Sequence, residues 1–269
     1  VIEDAQAILD YLPSEYKTAE EQEYTSFLWD NFQSNYETGK YQFAYIAYHM
    51  LFMCFTYYSV WKLKTHRGND FEKSVIHFNN EICKKLFGAA GPLEFAEIES
   101  ISESRIFRFF KLAGCGNSEI GEFTSVVNSR NAIAHANGHI FYKTSDALDE
   151  QLEKIVICME KIQASLNCVL DDIFKKFLME RSAAEFRETF EDSEQIREFL
   201  IRENYLSPKD IERCLQFDTS SLSSHPDFPL IETMFNSFKS LYQPILTWLL
   251  TEFPLSALWA TRKNTIAHS

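Results

Sequence analysis

Residues 41–63, YQFAYIAYHMLFMCFTYYSVWKL, would be apolar on almost every side of a helix. Such a helix has two homes, the centre of a packed helical core or a lipid bilayer. Its length suits either, and Lys40 before it with Lys62 at its end and Lys64 and Arg67 after it resembles the flanking of a membrane span. The polar groups decide between them. His49, Thr56, Ser59 and five tyrosines lie inside the segment, and these suit a core in which other helices supply hydrogen-bond partners. A buried central helix is therefore expected, with no membrane attachment, and the rest of the chain has to wrap around it.

What is available for wrapping is helical in character. Only 8 Gly and 7 Pro interrupt 269 residues, against 24 Phe and an apolar share of 45%. So few breakers favour long helices over a many-turned β architecture, and the expected class is all-α, a helical bundle. The length allows one large domain or two small ones.

Thr18 followed by Glu21 has the spacing of a capping box. It predicts a helix that buries Tyr24, Phe27, Leu28 and Phe32 and ends before Gly39. Residues 71–87 and 93–112 carry further helical patterns, separated by Gly88-Ala89-Ala90-Gly91-Pro92. Arg105, Arg108 and Lys111 interleave with the second of these at helical spacing and make a candidate RNA-binding row, beside the plainer reading of a solvated face. Asn117 or Ser118 is placed to cap the next helix, which runs through Ile120, Phe123, Val126 and Val127 and stops at Asn137-Gly138. From Asp146 to about Arg181, steps of four and three join Leu148, Leu152, Ile155, Met159, Ile162, Leu166, Val169 and Ile173 in one bundle seam. A charged helix over about 183–203, a short one opened by Ser207-Pro208, a polar loop at 218–225 and an apolar helical run from Phe228 to Phe253, interrupted or kinked at Pro244, follow. The expected division is a first bundle over 1–180 and a second helical half over 181–269.

Charge and cysteine content narrow the function classes. A net charge of −13 counts against a broad electrostatic grip on nucleic acid, which depends on phosphate neutralisation; a short, locally basic cleft remains compatible with it. The six cysteines (Cys54, Cys83, Cys115, Cys158, Cys168, Cys214) show no Cys-x-x-Cys and no zinc spacing, and several lie in apolar helical runs where a thiol acts as a small core group. A reducing cytoplasm is the simplest setting. No cationic segment followed by an apolar one opens the sequence, so no signal peptide is expected. No metal or cofactor is called for.

One short pattern occurs twice. Arg130-Asn131-Ala132-Ile133-Ala134-His135 is echoed by Arg262-Lys263-Asn264-Thr265-Ile266-Ala267-His268. On a helix Asn131 and His135 share a face, as do Asn264 and His268, and the arginine five before its histidine lies about 140° further round at ~100° per residue. An arginine, an amide and a histidine together suit phosphodiester chemistry. Histidine moves a proton near neutral pH, and a guanidinium holds a phosphate bidentately while offsetting charge gained in the transition state. The bland alternative is a structural cluster that satisfies a helix end.

The first copy resembles the Arg-x(4–6)-His motif of HEPN domains, in the form Arg-polar-x-x-x-His, and the aromatic helix before it and the long helix after it are similar to that family as well. The resemblance implies an α-helical bundle that pairs two motifs, across a homodimer or within one chain as a pseudo-dimer, and cuts single-stranded RNA without metal through attack of the ribose 2′-OH. It implies His135 as the proton-transfer residue, Arg130 as the phosphate binder and Asn131 as the polar helper. In the second copy His268 and Asn264 match, while Lys263 stands at the arginine position with Arg262 one residue earlier, which leaves two candidate cations. That copy lies at the last residues of the sequence with no helix after it, and reads as degenerate, cut short or completed by a partner. Prokaryotic defence and toxin–antitoxin systems are the family's common settings, so RNA and an antitoxin or other regulatory protein are the expected partners. The competing expectation is a non-catalytic HEPN-like module that binds RNA or a protein.

Overall fold

Thr18 and Glu21 open the first long helix as their spacing predicts. Thr18 Oγ1 accepts the Glu21 N–H at 3.2 Å while Glu21 Oε2 accepts the Thr18 N–H at 3.2 Å. The computed structural model describes residues 5–75, 101–135, 138–183, 186 and 189–251, and among these the fold is all-α with no strand. The helices are α1 (Ala19–Glu37), α2 (Tyr41–His66), α3 (Gly68–Val75), α4 (Glu103–Ile106), α5 (Asn117–Ala134), α6 (Ser145–Arg181), α7 (Asp192–Gln195), α8 (Pro208–Leu215) and α9 (Phe228–Thr251), with short 3₁₀ or π turns between several of them. Residues 76–87 and 93–100 of the expected helical patterns, and the whole of the second motif with Arg262, Lys263, Asn264 and His268, fall outside the described residues.

The chain divides into two compact units, residues 18–169 and residues 1–17 with 170–269. A boundary at 180/181 is what the sequence predicts; the units instead change over within α6, at 169/170. The apolar seam of α6 runs unbroken across that point, so periodicity carries no mark of it. The grouping of the first seventeen residues with the last hundred depends on contacts far apart in sequence.

In the first unit α2 is the central element. Sixteen of its residues are buried, and α1, α3, α4, α5 and the 3₁₀ turn Phe107–Ala113 all pack against it. None of the described helices is long and apolar enough to cross a membrane. Phe107 links three layers, its ring centroid 5.9 Å from Phe52 of α2 and 5.9 Å from Phe123 of α5. On α1 the buried stripe is Thr25, Leu28, Trp29 and Phe32, whereas Tyr24 and Phe27 are 46% and 60% exposed. The expectation that both were core residues is corrected: Trp29 draws the centre of the stripe away from them, leaving Tyr24 at its edge and Phe27 on the far side.

The pattern expected over 93–112 is described only from Ile101, and there it is one α-turn followed by 3₁₀ helix to Ala113, stopped by Gly114 at φ 92°. Spacing of three fits 3₁₀ and α geometry alike, which is why the sequence does not separate them. Gly116, not Asn117 or Ser118, is the N-cap of α5, and Glu119 Oε2 accepts its N–H at 2.7 Å. The eight residues of the α6 seam named above are all buried.

In the second unit the N-terminal segment is stitched down by backbone and ion-pair contacts. Ser14 N donates to Leu206 O at 2.8 Å, Arg202 donates to the carbonyls of Tyr16 and Lys17, and Arg197 pairs with Glu15. Ser207 and Asp210 cap α8 reciprocally, with Pro208 in its first turn. Of the charged helix expected over 183–203, Phe186 is helical and a continuous described helix begins at Asp192 and relaxes into a π turn at Ile196–Arg202. Gln195 donates to the carbonyls of Phe186 and Phe190 in the segment before it.

Candidate functional site

Helix α5 presents the first motif, and its end is held by one side chain from α2. Gln42 Nε2 donates to Ile133 O at 3.2 Å, while Gln42 Oε1 accepts the Phe141 N–H at 3.1 Å. A helix end carries carbonyls with no intrahelical donor, and Gln42 satisfies one of them while tying down the chain that returns toward α6. The helix ends at Ala134, three residues before the expected Asn137-Gly138 stop, with His135 as its C-cap. His135 has φ −84° and ψ 142°. The near-helical φ keeps its side chain in helical register with Asn131, and the extended ψ turns only the chain that follows.

Phe123, Val126, Val127 and Ile133 are the buried residues of α5. At ~100° per residue Arg130 falls at the middle of their arc, so the motif arginine points into the packed side of the helix. Its side chain is 23% exposed, and its Nη2 donates to Glu103 Oε2 at the first turn of α4. The same oxygen meets Nε2 of His49, a fully buried residue of α2, at 3.4 Å. His49 thus anchors a chain that runs from imidazole to carboxylate to guanidinium.

The charge states of this chain follow from its surroundings. The hydrogen bond to His49, with the positive charge of Arg130, holds the Glu103 carboxyl below its ordinary range against the opposing effect of burial. Burial pushes the His49 imidazole below its usual value and outweighs the pull of Glu103. At neutral pH Glu103 is an anion and His49 is neutral. An ionised carboxylate only accepts, which places the imidazole proton on Nε2; Nδ1 is buried with no partner among the described residues. Tyr45 lies with its ring 6.4 Å from His49 and 5.2 Å from Tyr142. Burial raises its phenol well above the ordinary value and raises that of Tyr142 to about 12, so both stay protonated donors.

Asn131 and His135 lie toward the other side of α5, half-buried and exposed respectively. His135 makes no side-chain hydrogen bond or ion pair with a described residue. The structure therefore keeps Asn131 and His135 together and turns Arg130 away from them into the network with Glu103. Arg105, Arg108 and Lys111 are all exposed, as either reading of that row requires. Three residues per turn over Phe107–Ala113 bring Arg108 and Lys111 into register along one line. A cavity of about 220 Å³, whose lining includes Tyr45, Ser125, Ser129, Gln151 and Lys154, opens along the α5 face that bears Ser125 and Ser129, away from the side of His135. No group of three or more metal-ligating side chains occurs among the described residues.

Sequence reasoning treated His49 as a hydrogen-bonded core histidine, which the structure shows, and it missed Glu103 and Gln42. Glu103 is 27 residues from Arg130 and 54 from His49, and no local pattern marks such a contact. Comparison with protein-family models, with curated proteins and with solved structures finds no match to this chain.

Proposed function

We propose that this chain is a metal-independent endoribonuclease of the HEPN type that cleaves single-stranded RNA, in a prokaryotic defence or toxin–antitoxin role. The observation that carries the reading is His135, an exposed imidazole without a partner among the described residues, on the face of Asn131 at a clamped helix end. The His135 imidazole takes the proton of the ribose 2′-OH. The freed oxygen attacks phosphorus, the bond to the 5′-oxygen breaks, and that oxygen leaves with a proton from a second acid. The products are a 2′,3′-cyclic phosphate and a 5′-hydroxyl. Neither water nor a metal ion enters the balance, and the requirement for a 2′-OH restricts the substrate to RNA. The second acid is assigned to another motif copy, from His268 of the same chain or from His135 of a second chain.

The test is cleavage of a labelled single-stranded RNA with and without EDTA. Wild type is expected to cut equally in both, and His135→Ala to lose about a thousandfold or more of the rate. Undiminished cutting by that variant overturns the assignment.

A second reading is favoured by the ion pair of Arg130 with Glu103: a non-catalytic module that binds RNA or a regulatory protein, in which the arginine is a structural charge. It predicts complex formation with no cleavage products at any pH.

A further inference from the structure

The contact of Arg130 with Glu103 is made through a single guanidinium nitrogen, Nη2. A guanidinium has five N–H donors in a rigid plane, so a carboxylate held at one corner leaves donors for a phosphate. Both partners are half-buried, at 23% and 30% side-chain exposure, and Glu103 is in turn fixed by His49 from the fully buried interior of α2. Removing an anion from water is unfavourable, and an apolar side chain at position 103 would pack without that cost. A carboxylate in such a place is suited to orienting another group, since a working side chain needs its rotamer locked by packing and by hydrogen bonds from behind.

We infer that Glu103 is the positioning residue of Arg130: anchored by His49, it fixes the plane of the guanidinium so that the remaining N–H donors meet a phosphate of bound RNA. The inference rests on the ribonuclease reading only for its effect on rate; the effect on RNA binding stands without it. Replacing the anion leaves the arginine charged but free to rotate, which weakens the phosphate contact and misplaces it during reaction.

The experiment compares wild type, Glu103→Gln, Glu103→Asp, Arg130→Ala and the Glu103→Gln/Arg130→Ala double variant. It follows cleavage of a labelled single-stranded RNA and affinity for the same RNA with 2′-O-methyl groups, which cannot be cut. Glu103→Gln is expected to lower kcat about 30-fold and to weaken binding only about fivefold, a split that marks loss of orientation more than loss of contact. Glu103→Asp, which keeps the charge, recovers part of the rate. In the Arg130→Ala background the Glu103→Gln change adds nothing, because it acts through the arginine. Thermal melts check folding; if Glu103→Gln melts early, Glu103→Asp carries the comparison, with a loss of rate and affinity that Arg130→Ala abolishes as the supporting result. Glu103 variants that bind and cut as wild type does, or better, overturn the inference while leaving the ribonuclease reading intact. A wild type that binds RNA, does not cut it, and loses affinity on Glu103→Gln only when Arg130 is present overturns the ribonuclease reading and supports the inference. Affinity that is absent, or unchanged by either substitution, overturns the inference.

Discussion

Arg130 and His135 are five residues apart and face different surroundings, one tied to a half-buried anion and the other open. The sequence shows both side chains but not the division between them. A helical wheel places Arg130 among the apolar residues, and only the packing of α4 against α5 shows what receives its charge. His49 is readable as a core histidine because it interrupts an apolar run; its acceptor Glu103 is not readable, since nothing local distinguishes it from other surface carboxylates. Replacing His49 with Leu removes a partner from a half-buried anion, and is expected to cost about 1–3 kcal/mol in urea unfolding. In the second unit Asp10 is a half-buried carboxyl raised to about 6 by burial, with Lys209 opposing the rise and Glu212 adding to it. Its folded value lies above the unfolded one, so its contribution to stability is complete below about pH 4 and is lost as pH rises through about 6. Asp10→Asn is therefore expected to gain on the order of 2–3 kcal/mol over wild type between pH 4 and pH 7. Parallel unfolding free energies across that window would disprove the assignment.

Elements were legible in proportion to how local their determinants are. The Thr18–Glu21 box, the Ser207-Pro208 start and the long seam of α6 each rest on residues within one or two turns, and each is present in the structure. The 3₁₀ turn, the change to π geometry after Gln195 and the early end of α5 depend on neighbours supplied from elsewhere. Gln42 is the clearest case, since its amide both closes α5 and holds the chain that leaves it. Gln42→Ala is expected to cost about 1–2 kcal/mol and to speed amide hydrogen exchange at the last turn of α5, with slower RNA cleavage as the functional readout. Ile162→Ala, in the middle of the α6 seam and fully buried, is expected to cost about 2–5 kcal/mol. Exposed Arg108 and Lys111 touch no such core. Reversing both to Glu is expected to leave the melting temperature unchanged and to weaken RNA binding in a salt-dependent way; RNA affinity that stays constant would remove the row from the binding surface.

At the level of the whole molecule the all-α class followed from scarce breakers and one central apolar helix, while the division into units did not. The net charge of −13 leaves few cations to neutralise phosphates, so RNA affinity is expected to fall by a low power of the salt concentration, with a slope set by about two to four contacts. The grouping of residues 1–17 with 170–269 has a consequence for how the chain is made. Residues 18–169 emerge from a ribosome as a contiguous block, but Ser14, Tyr16 and Lys17 bond to Leu206 and Arg202, which are translated almost two hundred codons later. At about 5–20 residues per second that interval is on the order of 10–40 s. During it the apolar Ile8, Leu9, Tyr11 and Leu12, all buried in the finished protein, have no permanent cover, which makes this stretch of the nascent chain a natural client for a chaperone.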